Sequence, residues 1–197
     1  MNRFQNKYRI ASARLQNWDY RWAGAYFITI CTQNREHYFG EIKNEKMILS
    51  PIGVIADILW YEIPHHAKNV ELEAFVVMPN HIHGILIINS NMDNDNTHIV
   101  ETGHALSLPQ TPNKTSIQPI TIGQQRFQNI GKNSISSIIG SYKSAVTKHA
   151  QRLGFDFQWQ TRFHDHIIRD DQSFQKISNY IENNIITWRE DKFFKFE

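Results

Sequence analysis

The chain has 197 residues, of which 41% are hydrophobic and 12% aromatic, including five Trp and twelve Phe. That is enough apolar material for one sizeable core, in a chain too short for two comfortable ones, so a single domain over residues 1–197 is expected. The net charge of +2, from 21 basic and 19 acidic side chains, leaves the charge balance uninformative about nucleic acid, so the distribution of charge has to carry that question.

No apolar run approaches the ~20 residues needed to cross a bilayer, and residues 1–7 (MNRFQNK) are polar. Neither secretion nor membrane insertion is expected, and a cytoplasmic location is. The single cysteine, Cys31, has no partner for an internal disulfide and reads as a small buried hydrophobe in a strand.

Residues 1–22 set Arg3, Lys7, Arg9, Arg14 and Arg21 against one acid, Asp19, with Tyr8, Trp18, Tyr20 and Trp22 interleaved. Such a leader can screen phosphates and stack bases, or serve as a solvated arm; both readings are open. Residues 24–32 (GAYFITICT) have the β-branched and aromatic content of a buried strand, and 41–49 (EIKNEKMIL) reads as a hairpin turning near Asn44. Ser50-Pro51 supplies an N-cap and a proline at the first helical position. Ile52, Ile55, Ile58, Leu59 and Tyr61 then recur near helical spacing until Pro64.

Residues 70–78 (VELEAFVVM) and 82–88 (IHGILII) are apolar strand candidates separated by the turn-prone Pro79-Asn80, hence adjacent and antiparallel. Residues 89–132, rich in Asn, Asp, Thr, Gln and Pro without a sustained period, read as an inserted mobile loop. From Asn133, the residues Ile135, Ile138, Ile139, Tyr142, Ala145, Val146 and His149 form one helical stripe ending near Gly154. A strand at FHDHII and a helix over 173–188, with Phe174, Ile177, Ile181 and Ile185 as its apolar stripe, complete the chain. This order predicts an α+β fold with helices packed on an antiparallel sheet.

The sharpest local feature is Pro79-Asn80-His81-Ile82-His83-Gly84. Side chains alternate across a strand, so His81 and His83 project from one face and Ile82 from the other, which is a two-donor arrangement for a divalent metal. His164-Asp165-His166 repeats the spacing, and His37, His65 and His66 show that histidine is not rare here. A closed zinc site of the four strand histidines would leave no reactive position. Two helical tyrosines compete as nucleophile. Tyr142 lies on an apolar stripe, whereas Tyr180 has Asn184 one helical step beyond it on the same face.

The segments PNHIHG, WQTRFHDHIIRD and YIENN together resemble the single-tyrosine HUH transposases, in particular the REP-associated tyrosine transposase branch, over essentially the whole chain outside 89–132. The resemblance implies a ferredoxin-like HUH endonuclease/transposase fold. It also implies Mg²⁺ or Mn²⁺ held by His81, His83 and Asn184, with Tyr180 as the nucleophile. The implied reaction cuts and rejoins single-stranded DNA beside a hairpin through a 5′-phosphotyrosine. Many relatives carry glutamine at the position of Asn184, whose amide reaches less far; the REP-associated branch is similar to this chain in using asparagine. Arg35, Lys143, Lys148, Arg152 and Arg162 are candidate phosphate contacts. His166 reads as a support for the sheet, and a homodimer is expected. The rival readings are a nickase without strand transfer and a domesticated DNA-binding protein in which the histidines are structural.

Overall fold

The computed structural model describes residues 19–90, 134–190 and 193, with the backbone of 3–4 and 7–8. Of the expected insert at 89–132, all but Asn89 and Ser90 lies outside the described residues, as does most of the basic leader. Near the N-terminus, β1 (Arg3–Phe4) pairs with β2 (Lys7–Tyr8).

The central sheet is built from β3 (Gly24–Cys31), β6 (Val70–Met78), β7 (His81–Ile88) and β8 (His164–Ile168), in the order β6-β7-β3-β8. All three pairings are antiparallel. With α1 (Pro51–Tyr61) between β3 and β6, and α3 (Ile135–Arg152) between β7 and β8, the chain runs βαββαβ, the ferredoxin-like order. The α+β expectation is met. A hairpin of β4 (Gly40–Lys43) and β5 (Lys46–Leu49) is spliced between β3 and α1. Its turn residues Asn44 and Glu45 both have positive φ, 51° and 59°, as a two-residue hairpin turn of primed type requires.

The helix boundaries follow from their caps. The Ser50 hydroxyl accepts the Gly53 N–H at 3.1 Å and starts α1; Ser134 does the same for α3. The sequence reading carried the first helix on until Pro64. The helix stops at Tyr61 instead, and Pro64 sits in the first turn of a separate short helix, α2 (Ile63–His66), where its missing N–H costs nothing. The last helix, α4 (Asp171–Asn183), is also shorter than the expected 173–188; a 3-10 turn at Trp188–Glu190 follows it.

Strand alternation gives the sheet two different faces. Tyr26, Ile28 and Ile30 of β3 join Ile82, Leu86 and Ile88 of β7 in the main core, under Ala56 and Trp60 of α1 and Ile139, Tyr142 and Val146 of α3. The opposite face carries Val76, Met78 and Ile85, covered by Ile181 of α4 and by Trp188. Fully burying a side chain the size of Ile181 contributes about 1.5–3 kcal/mol, so the apolar stripe of α4 fixes where the rest of that helix sits.

Candidate metal and tyrosine site

His81 and His83 are the odd-numbered residues at the start of β7, so they lie on the α4 face while Ile82 enters the main core. Their rings stand 4.4 Å apart, centroid to centroid. Both are buried, at 0% and 1% relative exposure. The Phe193 ring packs at 4.6 Å from that of His81 and 5.8 Å from that of His83, and Trp188 lies 5.8 Å from His81.

Each Nδ1 is held by an oxygen. For His81 it is Oδ1 of Asn80, at 2.9 Å. The Asn80 amide nitrogen donates to the carbonyls of Arg35 and Phe193, at 3.2 and 3.0 Å, which orients Oδ1 towards the imidazole. An amide oxygen only accepts, so Nδ1 of His81 carries the hydrogen and Nε2 carries the lone pair, the tautomer a metal ligand needs. For His83 the partner is Oγ1 of Thr29, at 2.9 Å. Thr29 is directly opposite His83 in the β3–β7 register.

The Tyr180 phenol lies 3.2 Å from Nε2 of His83, with the rings 5.2 Å apart and Phe27 edge-on to Tyr180. Tyr180 is 38% exposed and Ile181, next to it, is fully buried, so the apolar stripe of α4 anchors the helix while the phenol stays at the site's solvent edge. Asn184 follows the last residue of α4 with helical backbone angles (φ −61°, ψ −35°). It therefore shares Tyr180's face of the helix, and it is 0% exposed.

Among the described residues no group of three or more His, Cys, Asp or Glu side chains is placed to hold a metal ion. The donors that the sequence reading names are the imidazoles of His81 and His83 and the amide of Asn184. Neutral imidazole and amide oxygen suit Mn²⁺ and related divalent ions, and an Nδ1 hydrogen-bonded to an oxygen acceptor is the usual outer partner of a ligating histidine. By this chemistry the residues fit a divalent cation.

The other sequence candidates are distributed differently. Tyr142 is buried in the main core on the far face, its hydroxyl donating to the Ala56 carbonyl at 2.8 Å. Burial pushes its pKa well above the usual tyrosine value, and nearby Asp57 adds to the shift. His164 and His166 lie one strand beyond β3 from the histidine pair, opposite Thr29 and Phe27 respectively, and are exposed. Lys148 and Arg152 are exposed on α3, which covers the face opposite the histidines. The Lys143 ammonium donates to the carbonyls of Gln160 and Thr161 at 2.7 and 3.4 Å; its burial lowers its pKa. Arg35 stacks on Phe193, its guanidinium carbon 4.0 Å from the ring centre, and Arg162 is exposed just ahead of β8.

The sequence reading took Asn80 only as a turn residue and missed Thr29 and Phe193. Asn80 had a signal, its place beside the first histidine. Thr29 had none, because strand register is not written in a single strand.

This antiparallel α+β architecture is shared with a solved REP-associated tyrosine transposase bound to a REP hairpin: TM-score 0.54, 17% identity, 93% of this chain and 77% of that one covered. The chain thus has the fold of a single-tyrosine transposase. It belongs to the same family as an uncharacterized protein of Haemophilus influenzae (strain ATCC 51907 / DSM 11121 / KW20 / Rd), with which it is 35% identical over 184 residues, 93% of this chain and 92% of the relative. No family model matches. Among the described residues no helix is long and apolar enough to cross a membrane.

Proposed function

We propose that the protein cleaves and rejoins single-stranded DNA beside a hairpin, with Tyr180 as nucleophile and a divalent metal, Mg²⁺ or Mn²⁺, held by His81, His83 and Asn184. The observation that carries this reading is the meeting of a phenol from α4 with an imidazole of the strand-borne pair at 3.2 Å, on a fold shared with a transposase bound to a DNA hairpin.

In this reaction the Tyr180 oxygen attacks the scissile phosphorus and loses its proton. The bond from phosphorus to the departing 3′ oxygen breaks, leaving a 5′-phosphotyrosine and a free 3′-hydroxyl. When bound, the metal supplies Lewis-acid neutralisation of charge on the phosphate oxygens. The protein does the positioning. Asn80 and Thr29 hold the two rings, the buried stripe of α4 holds Tyr180 at its edge, and the hydrophobic shell excludes water. The phosphotyrosine conserves the energy of the broken bond, so a second 3′-hydroxyl reverses the step and joins strands. Arg35 and Arg162 are the better placed phosphate contacts of the five candidates, since Lys143 is engaged with carbonyls and Lys148 and Arg152 ride on the far helix.

A second reading, a DNA-binding protein without catalysis, is favoured by one observation: both imidazoles are packed among aromatic rings like core histidines. Incubation with labelled hairpin DNA and Mn²⁺, then denaturing electrophoresis, separates the two. A protein-linked DNA band that is lost in Tyr180→Phe supports the enzyme. Binding without any such band, over a varied hairpin library, supports the binder.

A further inference from the structure

We infer that a polar cavity beside His81 receives one unpaired nucleotide of the DNA strand, its base among neutral amides and an indole and its phosphate at Arg35. The inference rests on the DNA reading above and gives it a second contact point.

The cavity has a volume of about 410 Å³ and is lined by residues 32–35 and 159–161, a size within the range of small-molecule sites. Its two walls are joined by a bridge between Thr32 and Trp159, and by hydrogen bonds from the Gln33 N–H to the Gln158 carbonyl and from the Gln160 N–H to the Cys31 carbonyl, both 2.9 Å. The Lys143 ammonium and the Trp159 indole N–H, which donates to the Lys143 carbonyl at 3.1 Å, fix the second wall. The cavity is therefore a built feature of the sheet end.

Its place ties it to the candidate site. Thr32 follows Cys31, which is opposite His81 in the β3–β7 register. The Thr32 N–H donates to the Asn80 carbonyl at 3.0 Å, its hydroxyl lies 2.7 Å from the Glu36 carbonyl and 3.0 Å from that of Asn80, and the Asn80 amide donates to the Arg35 carbonyl. One residue thus orients His81 and anchors the cavity wall, and the Arg35 guanidinium stacks on Phe193, whose ring packs on His81.

The lining chemistry selects the ligand. Gln33, Asn34 and Gln160 offer donors and acceptors without charge, which match the mixed edges of a base, and Trp159 contributes an aromatic wall. Arg35 is the one charged side chain on the lining. Asn34 and Arg35 both have left-handed backbone, φ 54° and 63°, a conformation asparagine adopts readily and arginine rarely. Nη1 of Arg35 is shielded from solvent without a hydrogen-bond acceptor among the described residues. A guanidinium held this way gains by turning to a phosphate oxygen.

The test measures binding of the full chain to fluorescein-labelled dT12, and to a twelve-unit abasic strand, by fluorescence polarisation in EDTA across a salt series, with folding checked by circular dichroism. The parent is expected to prefer dT12 roughly tenfold or more over the abasic strand, as one stacked base gives. Arg35→Gln should weaken binding and reduce the log–log salt slope by about 0.7, one phosphate contact on a single strand. Gln33→Ala combined with Gln160→Ala should reduce the base preference, by the hydrogen bonds lost, and leave the slope unchanged. A parent that binds while these variants keep its slope and base preference overturns the inference and leaves the proposed chemistry standing. Variant effects as expected, with no covalent adduct on any hairpin, uphold the inference and remove the chemistry. A parent that binds neither strand overturns the inference, and the adduct assay on hairpin DNA with Mn²⁺ then decides the chemistry by itself.

Discussion

The side-chain oxygen of Asn80 stands 2.9 Å from Nδ1 of His81, and its amide nitrogen is held by two backbone carbonyls. Fixed at both ends, this amide decides which nitrogen of His81 has the lone pair. Asn80→Ala is expected to weaken Mn²⁺ binding by roughly 10–100-fold, the usual effect of losing an outer partner of a ligating histidine. Asn80→Asp, which retains the acceptor, should recover much of it. Titration calorimetry with Mn²⁺ on the DNA-free protein checks both, and equal affinity in all three proteins would remove the metal role of His81.

As a metal ligand, Nε2 of His83 would have to offer its lone pair, and this atom lies 3.2 Å from the Tyr180 phenol. Phenol and metal therefore compete for the same atom. Tyr180→Phe should bind Mn²⁺ at least as tightly as the parent while forming no DNA adduct. Weaker metal binding in that variant would mean that the phenol supports the ion instead of yielding to it.

Tyr142 supplies a control on the opposite face. Its hydroxyl is buried against the Ala56 carbonyl at 2.8 Å, so Tyr142→Phe should cost about 1 kcal/mol of stability, the worth of an ordinary buried hydrogen bond. Adduct formation should persist in it. Urea unfolding and the same electrophoretic assay give the two readouts.

Two glycines should respond to alanine with opposite signs. A Cβ on Gly84 would fall 2.3 Å from a ring carbon of Trp60, which is fully buried and stacked on Phe75. Gly84→Ala is thus expected to destabilise by about 1–3 kcal/mol, as overpacking does. Gly140 lies inside α3 with nothing within 4 Å of the added methyl, and Gly140→Ala should stabilise by up to about 1 kcal/mol through helix propensity. Midpoints of urea unfolding decide the signs.

Asp170 caps α4, the helix that carries Tyr180, by accepting the Ser173 N–H at 2.7 Å. Hydrogen bonds from the Ser173 backbone and then its side chain hold the carboxyl below its ordinary value of 3.8. A lowered carboxylate contributes stability that is fully present above its unfolded value and is lost as pH falls through the folded one. Stability should therefore decline below about pH 4, and Asp170→Asn should flatten that decline. Thermal unfolding at pH 7 and pH 3 checks this, and parallel losses in parent and variant would assign the acid sensitivity elsewhere.

Much of this arrangement can be read from local pattern. Apolar runs on either side of Pro79-Asn80 placed β6 and β7, and strand alternation put His81 and His83 on one face with Ile82 on the other. The 3.6-residue stripes of Ile135 to His149 and of Phe174 to Ile181 defined the two long helices and set Tyr142 in a core. What stayed hidden depends on long-range placement. The Thr29–His83 pair needs the register between strands 54 residues apart, and Asn80 looks like a turn residue until its amide is seen to reach Arg35 and Phe193. Pro64 misled because proline ends one helix and begins another equally well. The basic residues of α3 could not be placed from sequence, because charge on a helix does not reveal which side of the sheet the helix covers.

The most direct test of the central claim is to trap the protein on a labelled DNA hairpin with Mn²⁺, digest it, and locate the DNA-linked peptide by mass spectrometry. The account predicts a nucleotide attached to the phenol of Tyr180. A nucleotide on Tyr142, on any other residue, or on none while the strand is still cut would contradict it.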